Sequence, residues 1–272
     1  MFKALVANSK KTMPMREGDY IGDDGLIYCG KCRTRKQTRV TLDDGTELTP
    51  MCMCQCEIER EKREEEERKQ RERMQRVSRY RSAGFHDKAL EKCTFARDDG
   101  ASATASRAAR GFVKNFSEFK KNGKGLLFYG TVGTGKTFLA SCIANALIDQ
   151  CIPCLVTNFS RIINKIQATY DEKQKYIDSL NDFDLLVIDD FAMERDTEYV
   201  NEIVYNIIDS RYRAGKPLIV TTNVPITELR NPQDLAKQRI YSRISDMCLP
   251  VEVLGKDRRG DMDSYLISKL FE

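Results

Sequence analysis

The chain has 272 residues, of which 32% are charged and 41% hydrophobic, with a formal net charge of +4. That length fits one large domain, or a core domain with an appendage. A charge so close to balance does not by itself indicate a nucleic-acid partner, and no apolar run reaches the length of a membrane span.

The first ten residues are too short and polar for the apolar stretch of a secretory leader, so a cytoplasmic chain with no membrane partner is expected. Ten cysteines would suggest disulfides in a secreted protein, but nothing here points to secretion. Five of them fall between residues 29 and 56.

Residues 1–56 carry turn signals at Gly22–Gly25 and Asp43–Gly45 and few apolar residues. Such a segment needs a staple to fold, and zinc is the natural one. Cys29 and Cys32 form a C-x2-C knuckle, and Cys52, Cys54 and Cys56 follow twenty residues on. Thiolates at these spacings can close a tetrahedral site. One ion takes four of the five; Cys29, Cys32, Cys54 and Cys56 are favoured, with Cys52 as the substitute. The plain alternative is reduced, unligated cysteines. His86 lies outside the cluster and reads as an ordinary polar residue.

Residues 57–80 are mostly charged. Pairs such as Glu59–Arg63, Glu64–Arg68, Glu65–Lys69, Glu67–Arg71 and Glu72–Arg76 sit at i,i+4. They predict a solvated linker helix, polar all round and without a coiled-coil seam. The charges nearly cancel, so a helical connector is preferred over a nucleic-acid-binding arm.

From residue 81 the pattern changes to short apolar strands alternating with helices. Ser106–Phe119 reads as a helix. Strands follow at Leu126–Tyr129, Pro153–Thr157, Phe183–Ile188 and Pro217–Thr221, with a Pro-containing edge strand at Cys248–Val253. Between them lie helical patterns at Phe138–Ile148, around Ile162, Ile163, Ile166 and Tyr170, at 197–213 and at about 233–246. This alternation predicts a five-stranded parallel sheet covered on both faces, an α/β fold. Cys151 and Cys154 mimic a metal knuckle, but Cys154 opens a strand, and core packing is the better reading.

The segment Gly130–Thr137 fits the phosphate-loop pattern G-x-x-x-x-G-K-[ST]. Gly130, Gly133 and Gly135 allow tight turns that bring backbone N–H groups against phosphate oxygens. Thr131, Val132 and Thr134 fill the loop, and Phe138 follows it into the helix. Lys136 supplies charge for the β- and γ-phosphates and Thr137 a hydroxyl for magnesium, so ATP and Mg2+ are the expected cofactors. A chance glycine-rich turn is the alternative, but strand, loop and helix in the right order disfavour it.

Leu185–Ile188 is an apolar strand ending in Asp189 and Asp190, at the edge where parallel sheets bind ligands. Asp189 suits Mg2+, directly or through water, and Asp190 suits polarising the attacking water. An apolar run ending in aspartate is usually only a strand leaving the core; the phosphate loop makes the functional reading stronger. Thr221–Asn223 ends the fourth strand, where an amide could orient water, although it also makes an ordinary turn. The arginines in Gln238–Ile244 and Gly255–Gly260 would, read alone, be surface residues.

Phe95, the run Gly123–Gly130 into the phosphate loop, Leu185–Asp190, Thr221–Asn223 and Arg239–Arg243 together resemble the DnaC-type replicative helicase loaders of the AAA+ ATPases. The likeness is closest to the form found in phages and prophages. It covers roughly residues 81–272; the cysteine-rich start and charged helix resemble the zinc-bearing, helicase-binding end of such loaders more loosely. The resemblance implies three parts: a zinc-binding, helicase-docking domain at 1–56, a helical linker at 57–80 and an AAA+ ATPase domain at 81–272. It implies that Asn223 is sensor 1, on a strand between those carrying the phosphate loop and Asp189. Arg243 would be the arginine finger, reaching a neighbouring subunit's ATP, and Arg259 sensor 2, with Arg258 adjacent.

The implied activity is ATP-dependent delivery of a hexameric replicative DNA helicase onto single-stranded DNA, with self-association through the ATPase domain. Many AAA+ proteins carry Asp-Glu where this chain has Asp189-Asp190; the shorter side chain implies slow hydrolysis and a nucleotide used as a switch. The alternatives are a transposition-helper ATPase of the IstB type, or a zinc-containing nucleic-acid adaptor with little hydrolysis. A nucleotide kinase is disfavoured because no acceptor-substrate pocket is evident.

Overall fold

The computed structural model describes residues 15–168, 172–192, 197–232, 234–257 and 270. The chain divides into two compact units, Met1–Met74 and Gln75–Glu272. The division falls within helix α1 (Gln55–Gly84), which begins two residues before and ends four residues after the expected linker helix. Among the described residues no helix is long and apolar enough to cross a membrane.

The first unit holds two small antiparallel ribbons, β1 (Tyr20–Ile21) with β2 (Ile27–Tyr28) and β3 (Val40–Thr41) with β4 (Glu47–Leu48). Its interior is small: among the described residues, Leu26, Cys29 and Cys54 are its buried apolar side chains. A buried ion pair, Lys36 Nζ to Asp19 Oδ2 at 2.7 Å, belongs to the same unit. On α1 the expected pairs Glu65–Lys69 and Glu67–Arg71 form at 3.3 and 3.2 Å. Arg68 turns instead to Glu65 and Glu72, on the near and far turns, rather than to Glu64.

The second unit is built on five strands, β5 (Gly125–Tyr129), β6 (Cys154–Thr157), β7 (Leu185–Phe191), β8 (Leu218–Thr222) and β9 (Cys248–Glu252). They form one parallel sheet in the order β6-β7-β8-β5-β9. Alternate strand residues enter opposite faces, as the pleat requires. Leu126, Phe128, Leu185, Val187 and Ile219 pack on one face. Leu127, Leu186, Ile188, Leu218 and Val220 pack on the other. Both faces are buried, which is why the strands read as continuous apolar runs.

The first face is covered by α2 (Ala103–Lys114), α3 (Phe116–Lys121) and α4 (Lys136–Ile148). The second is covered by α5 (Phe159–Ala168), α6 (Lys173–Ser179), α7 (Glu198–Arg213), α8 (Ile226–Arg230) and α9 (Leu235–Met247). The helix expected over Ser106–Phe119 is two helices. Asn115 leaves helical geometry at φ −108° and ψ 22°, and its side-chain amide donates to the Gly111 carbonyl, closing α2. The expectation for Tyr170 lies outside the described residues.

Helix α4 is buried over more than the single face its apolar spacing suggested. Ser141, Cys142 and Asn145 are buried alongside Leu139, Ile143 and Leu147. The Asn145 amide donates to the carbonyls of Leu90, Cys93 and Ser141, so a polar residue satisfies the segment that covers it. Pro250 sits in β9, which among the described strands pairs with β5 alone, as a strand proline at an edge should.

Candidate nucleotide site

The phosphate loop joins β5 to α4. Gly135 caps the helix at φ 100°, in left-handed geometry that favours glycine. Gly130 has φ 145°, and a Cβ there would lie 2.5 Å from the Val253 carbonyl oxygen, so no larger residue fits. Lys136 is only 5% exposed; its ammonium donates to the carbonyls of Gly130 at 2.9 Å and Thr131 at 2.7 Å. The Thr134 hydroxyl donates to the Thr131 carbonyl at 2.9 Å and tightens the turn. The loop therefore holds its own lysine beside the first turn of α4, where helix N–H groups favour an anion. Val132 is exposed and Phe138 half-buried.

Strand β8 pairs with both β5 and β7, so Asn223 follows a strand that lies between those carrying the phosphate loop and Asp189. The register between β7 and β8 breaks after Ile188: Ile188 pairs with Val220 and Phe191 with Thr222. Asp189 and Asp190 thus stand opposite the single residue Thr221, a bulge of the kind found beside ligand sites. Asp190 takes φ 52°, unusual for a residue with a side chain.

Thr221 organises this bulge. Its hydroxyl donates to Asp189 Oδ1 at 2.6 Å and accepts the Asp190 N–H at 2.9 Å. Thr137 donates to the same Asp189 oxygen at 2.7 Å. Burial pushes the Asp189 carboxyl above its ordinary value, with the Thr221 and Thr137 hydrogen bonds opposing it. Asp190 is exposed. The Thr222 hydroxyl donates to the Phe191 carbonyl at 2.9 Å and accepts the Val224 N–H, fixing the turn that carries the half-buried Asn223.

The structure thus brings Lys136, Thr137, Asp189 and Asp190 together at one end of the sheet, with Asn223 just past the end of the strand between. Arg243 lies elsewhere, on α9, where it pairs with Asp209 of α7. Arg258 and Arg259 lie outside the described residues. Phe95 sits in a short turn beneath Arg110, whose guanidinium stacks on its ring at 4.7 Å.

In the first unit the Sγ atoms of Cys29, Cys32, Cys54 and Cys56 all lie within 4.8 Å of one another. Cys52 stands apart, its thiol directed to the Arg35 carbonyl at 3.6 Å. The Thr34 hydroxyl holds the pKa of the Cys32 thiol down to about 5, while the Cys32 thiol beside it pushes that of Cys56 up to about 12. Four thiols so crowded cannot all ionise unless a cation neutralises them, so the donor set fits a soft divalent metal.

The chain matches the family described as IstB-like ATP binding protein over residues 34–260. It belongs to that family. This family member is 24% identical over 160 residues to the replicative helicase loader DnaI of Bacillus subtilis, covering 54% of this chain and 51% of DnaI. It is 28% identical over 140 residues to the replicative helicase loader DnaC of Escherichia coli K12, covering 50% and 55% respectively. The chain thus spans about half the length of these curated relatives.

Solved structures of DnaI and of the DnaC helicase loader superpose with TM-scores of 0.55 and 0.54, at 25% and 27% identity. They cover 66% and 62% of this chain and the whole of each solved chain. The second unit of this IstB-like protein is therefore an AAA+ fold, built to bind ATP.

Two residues with clear work escaped the sequence reading. Thr221 looked like the start of a turn; its signal was a hydroxyl ending an otherwise apolar strand. Arg211, with no exposed surface, is the other. Its guanidinium donates to the carbonyls of Leu180, Phe183, Asp184 and Pro217, tying together the segments that enter β7 and β8. Burial pulls its pKa down to about 10, with Asp184 opposing.

Proposed function

We propose that this protein is an ATP-dependent loader that delivers a hexameric replicative DNA helicase onto single-stranded DNA in the cytoplasm. The observation that carries the reading is the pairing of an AAA+ nucleotide site with a separate four-cysteine unit. The likeness to DnaI and DnaC supports the loader class. Cys29, Cys32, Cys54 and Cys56 would hold zinc, which stabilises a unit with too small an apolar core to fold unaided. That unit and the helix after it are the helicase-docking end of the three-part chain, 1–56, 57–80 and 81–272.

In the ATPase unit, Lys136 and the loop N–H groups bind the β- and γ-phosphates. Thr137 and Asp189 would hold Mg2+, which when bound neutralises charge on the phosphates. Asp190 accepts a hydrogen bond from the attacking water, and Asn223 orients it. Arg243 of a neighbouring copy stabilises charge on the γ-phosphate, and Arg259 contacts the phosphates as sensor 2. Asp190 is one methylene shorter than the glutamate common in AAA+ proteins, which supports slow, assembly-dependent hydrolysis.

The test is a pull-down of the replicative helicase of the source organism by the full chain, with and without ATP. Nucleotide-dependent capture that requires residues 1–80 supports the loader. Failure to capture the helicase sinks it and leaves the second reading, an IstB-type transposition helper, with which the family match is equally compatible. Steady ATP turnover lost in Lys136→Ala excludes a non-hydrolysing zinc adaptor.

A further inference from the structure

Arg243 is seated rather than loose. Its guanidinium lies 3.2 Å from Asp209 Oδ1 and 4.2 Å from the centre of the Tyr212 ring. Tyr205 also favours the charged guanidinium. All three partners lie on α7. Asp209 is 7% exposed, and its other oxygen is held by Arg213 at 2.7 Å, one turn along the same helix. Nearby, Asp246 pairs with Lys124 at 3.3 Å, and Lys124 first and then Tyr212 hold its carboxyl below the ordinary value.

Two features distinguish this seat from an ordinary surface ion pair. Asp209 Oδ1 is buried yet lacks a well-aligned hydrogen bond, so it restrains Arg243 by charge and leaves donors of the guanidinium uncommitted. The Arg243 side chain remains 35% exposed although the carboxylate it faces is packed. A planar cation held on a ring face by a buried carboxylate loses little freedom when it meets an incoming phosphate.

We infer that Asp209 is the positioning residue that, with the Tyr212 ring, presents Arg243 to the triphosphate bound by a second copy of this chain. The inference rests on Arg243 being the finger. In this role Asp209 acts on the nucleotide only through Arg243. Removing its charge leaves the guanidinium on the ring but unrestrained in direction, and misplacement of a catalytic group by about 1 Å costs roughly a hundredfold.

The experiment measures ATP turnover of the full chain under assembling conditions, with assembly followed by sedimentation and folding by thermal melting. Asp209→Asn is expected to lower kcat by about ten- to a hundredfold with the KM for ATP unchanged. Binding of a fluorescent ATP analogue by the dispersed chain should also be unchanged. Asp209→Asn mixed with Lys136→Ala should turn over ATP faster than either alone, because one supplies an intact nucleotide site and the other a seated finger. Tyr212→Phe, which keeps the ring, should retain more turnover than Tyr212→Leu.

If Arg243→Ala turns over ATP like the unmodified chain, the finger reading itself fails. If Arg243→Ala is impaired while assembled Asp209→Asn is not, or if the mixture shows no recovery, the finger stands and the positioning role of Asp209 is overturned. Should Asp209→Asn fail to fold, Tyr212→Leu takes its place in the same mixture, with the same two outcomes.

Discussion

Thr137 of α4 and Thr221 of β8 both donate to Asp189 Oδ1, and the Thr221 hydroxyl makes the shorter bond, 2.6 Å. Thr137 is expected to face the metal and Thr221 to orient the carboxylate behind it. Residues that orient a metal-binding carboxylate typically contribute about ten- to a hundredfold in affinity or activity. Thr221→Val should therefore weaken the Mg2+ dependence of ATP turnover by about that factor, and Thr221→Ser should restore most of it. A magnesium titration of each variant checks this; equal half-saturation in Thr221→Val and the parent would remove Thr221 from the site.

The phosphate loop predicts its own sensitivity at Gly130. A methyl group there meets the Val253 carbonyl at 2.5 Å, in a backbone geometry with φ 145° that side chains rarely adopt. Strain of this type costs about 1–3 kcal/mol. Gly130→Ala should lower the melting temperature and weaken ATP binding together, since loop and strand end move as one. Calorimetry with a non-hydrolysable nucleotide, beside thermal melting, checks this; a Gly130→Ala chain that melts and binds nucleotide like the parent would show that the loop absorbs the methyl group.

Much of this site could be read along the chain, for a physical reason. A phosphate loop is a local device: its glycines, lysine and threonine are consecutive, and the flanking strand and helix declare themselves by apolar runs. The five strands were legible because both faces of the sheet are buried. What could not be read were relationships that only the sheet order creates. Thr221 meets Asp189 because β8 lies beside β7 and a bulge sets two residues against one. Arg211 is one of several charges near the end of an amphipathic helix, and nothing local says that four carbonyls converge on it. The cysteine set was legible in outline, yet only the fold separates Cys52, turned toward Arg35, from the other four thiols.

Arg211 carries a stability prediction. Removing a buried charged group that satisfies several backbone carbonyls leaves those carbonyls desolvated and costs about 3–5 kcal/mol. Arg211→Ala should lower the melting temperature strongly, and Arg211→Lys should not rescue it, because an ammonium cannot reproduce the planar fork that reaches Leu180, Phe183, Asp184 and Pro217 together. A denaturant titration of both variants checks this. A loss under about 1 kcal/mol in Arg211→Ala would show that water replaces the guanidinium readily.

The four-thiol cluster predicts both a stoichiometry and an asymmetry among its neighbours. The full chain should carry about one zinc, set by one tetrahedral site of four thiolates. Cys54→Ser, which alters a buried ligand, should abolish metal retention and expose the first unit to proteolysis. Cys52→Ser should keep the metal, because that thiol lies outside the cluster. Chelation should act like Cys54→Ser on the first unit while leaving ATP binding by the second in place, since the cysteines and the phosphate loop belong to separate compact units. Metal analysis beside limited proteolysis reads all three arms. Zinc retained in Cys54→Ser but lost in Cys52→Ser would mean that Cys52 replaces Cys54 as the fourth ligand, and the turn that directs it to Arg35 would then have to rearrange when metal binds.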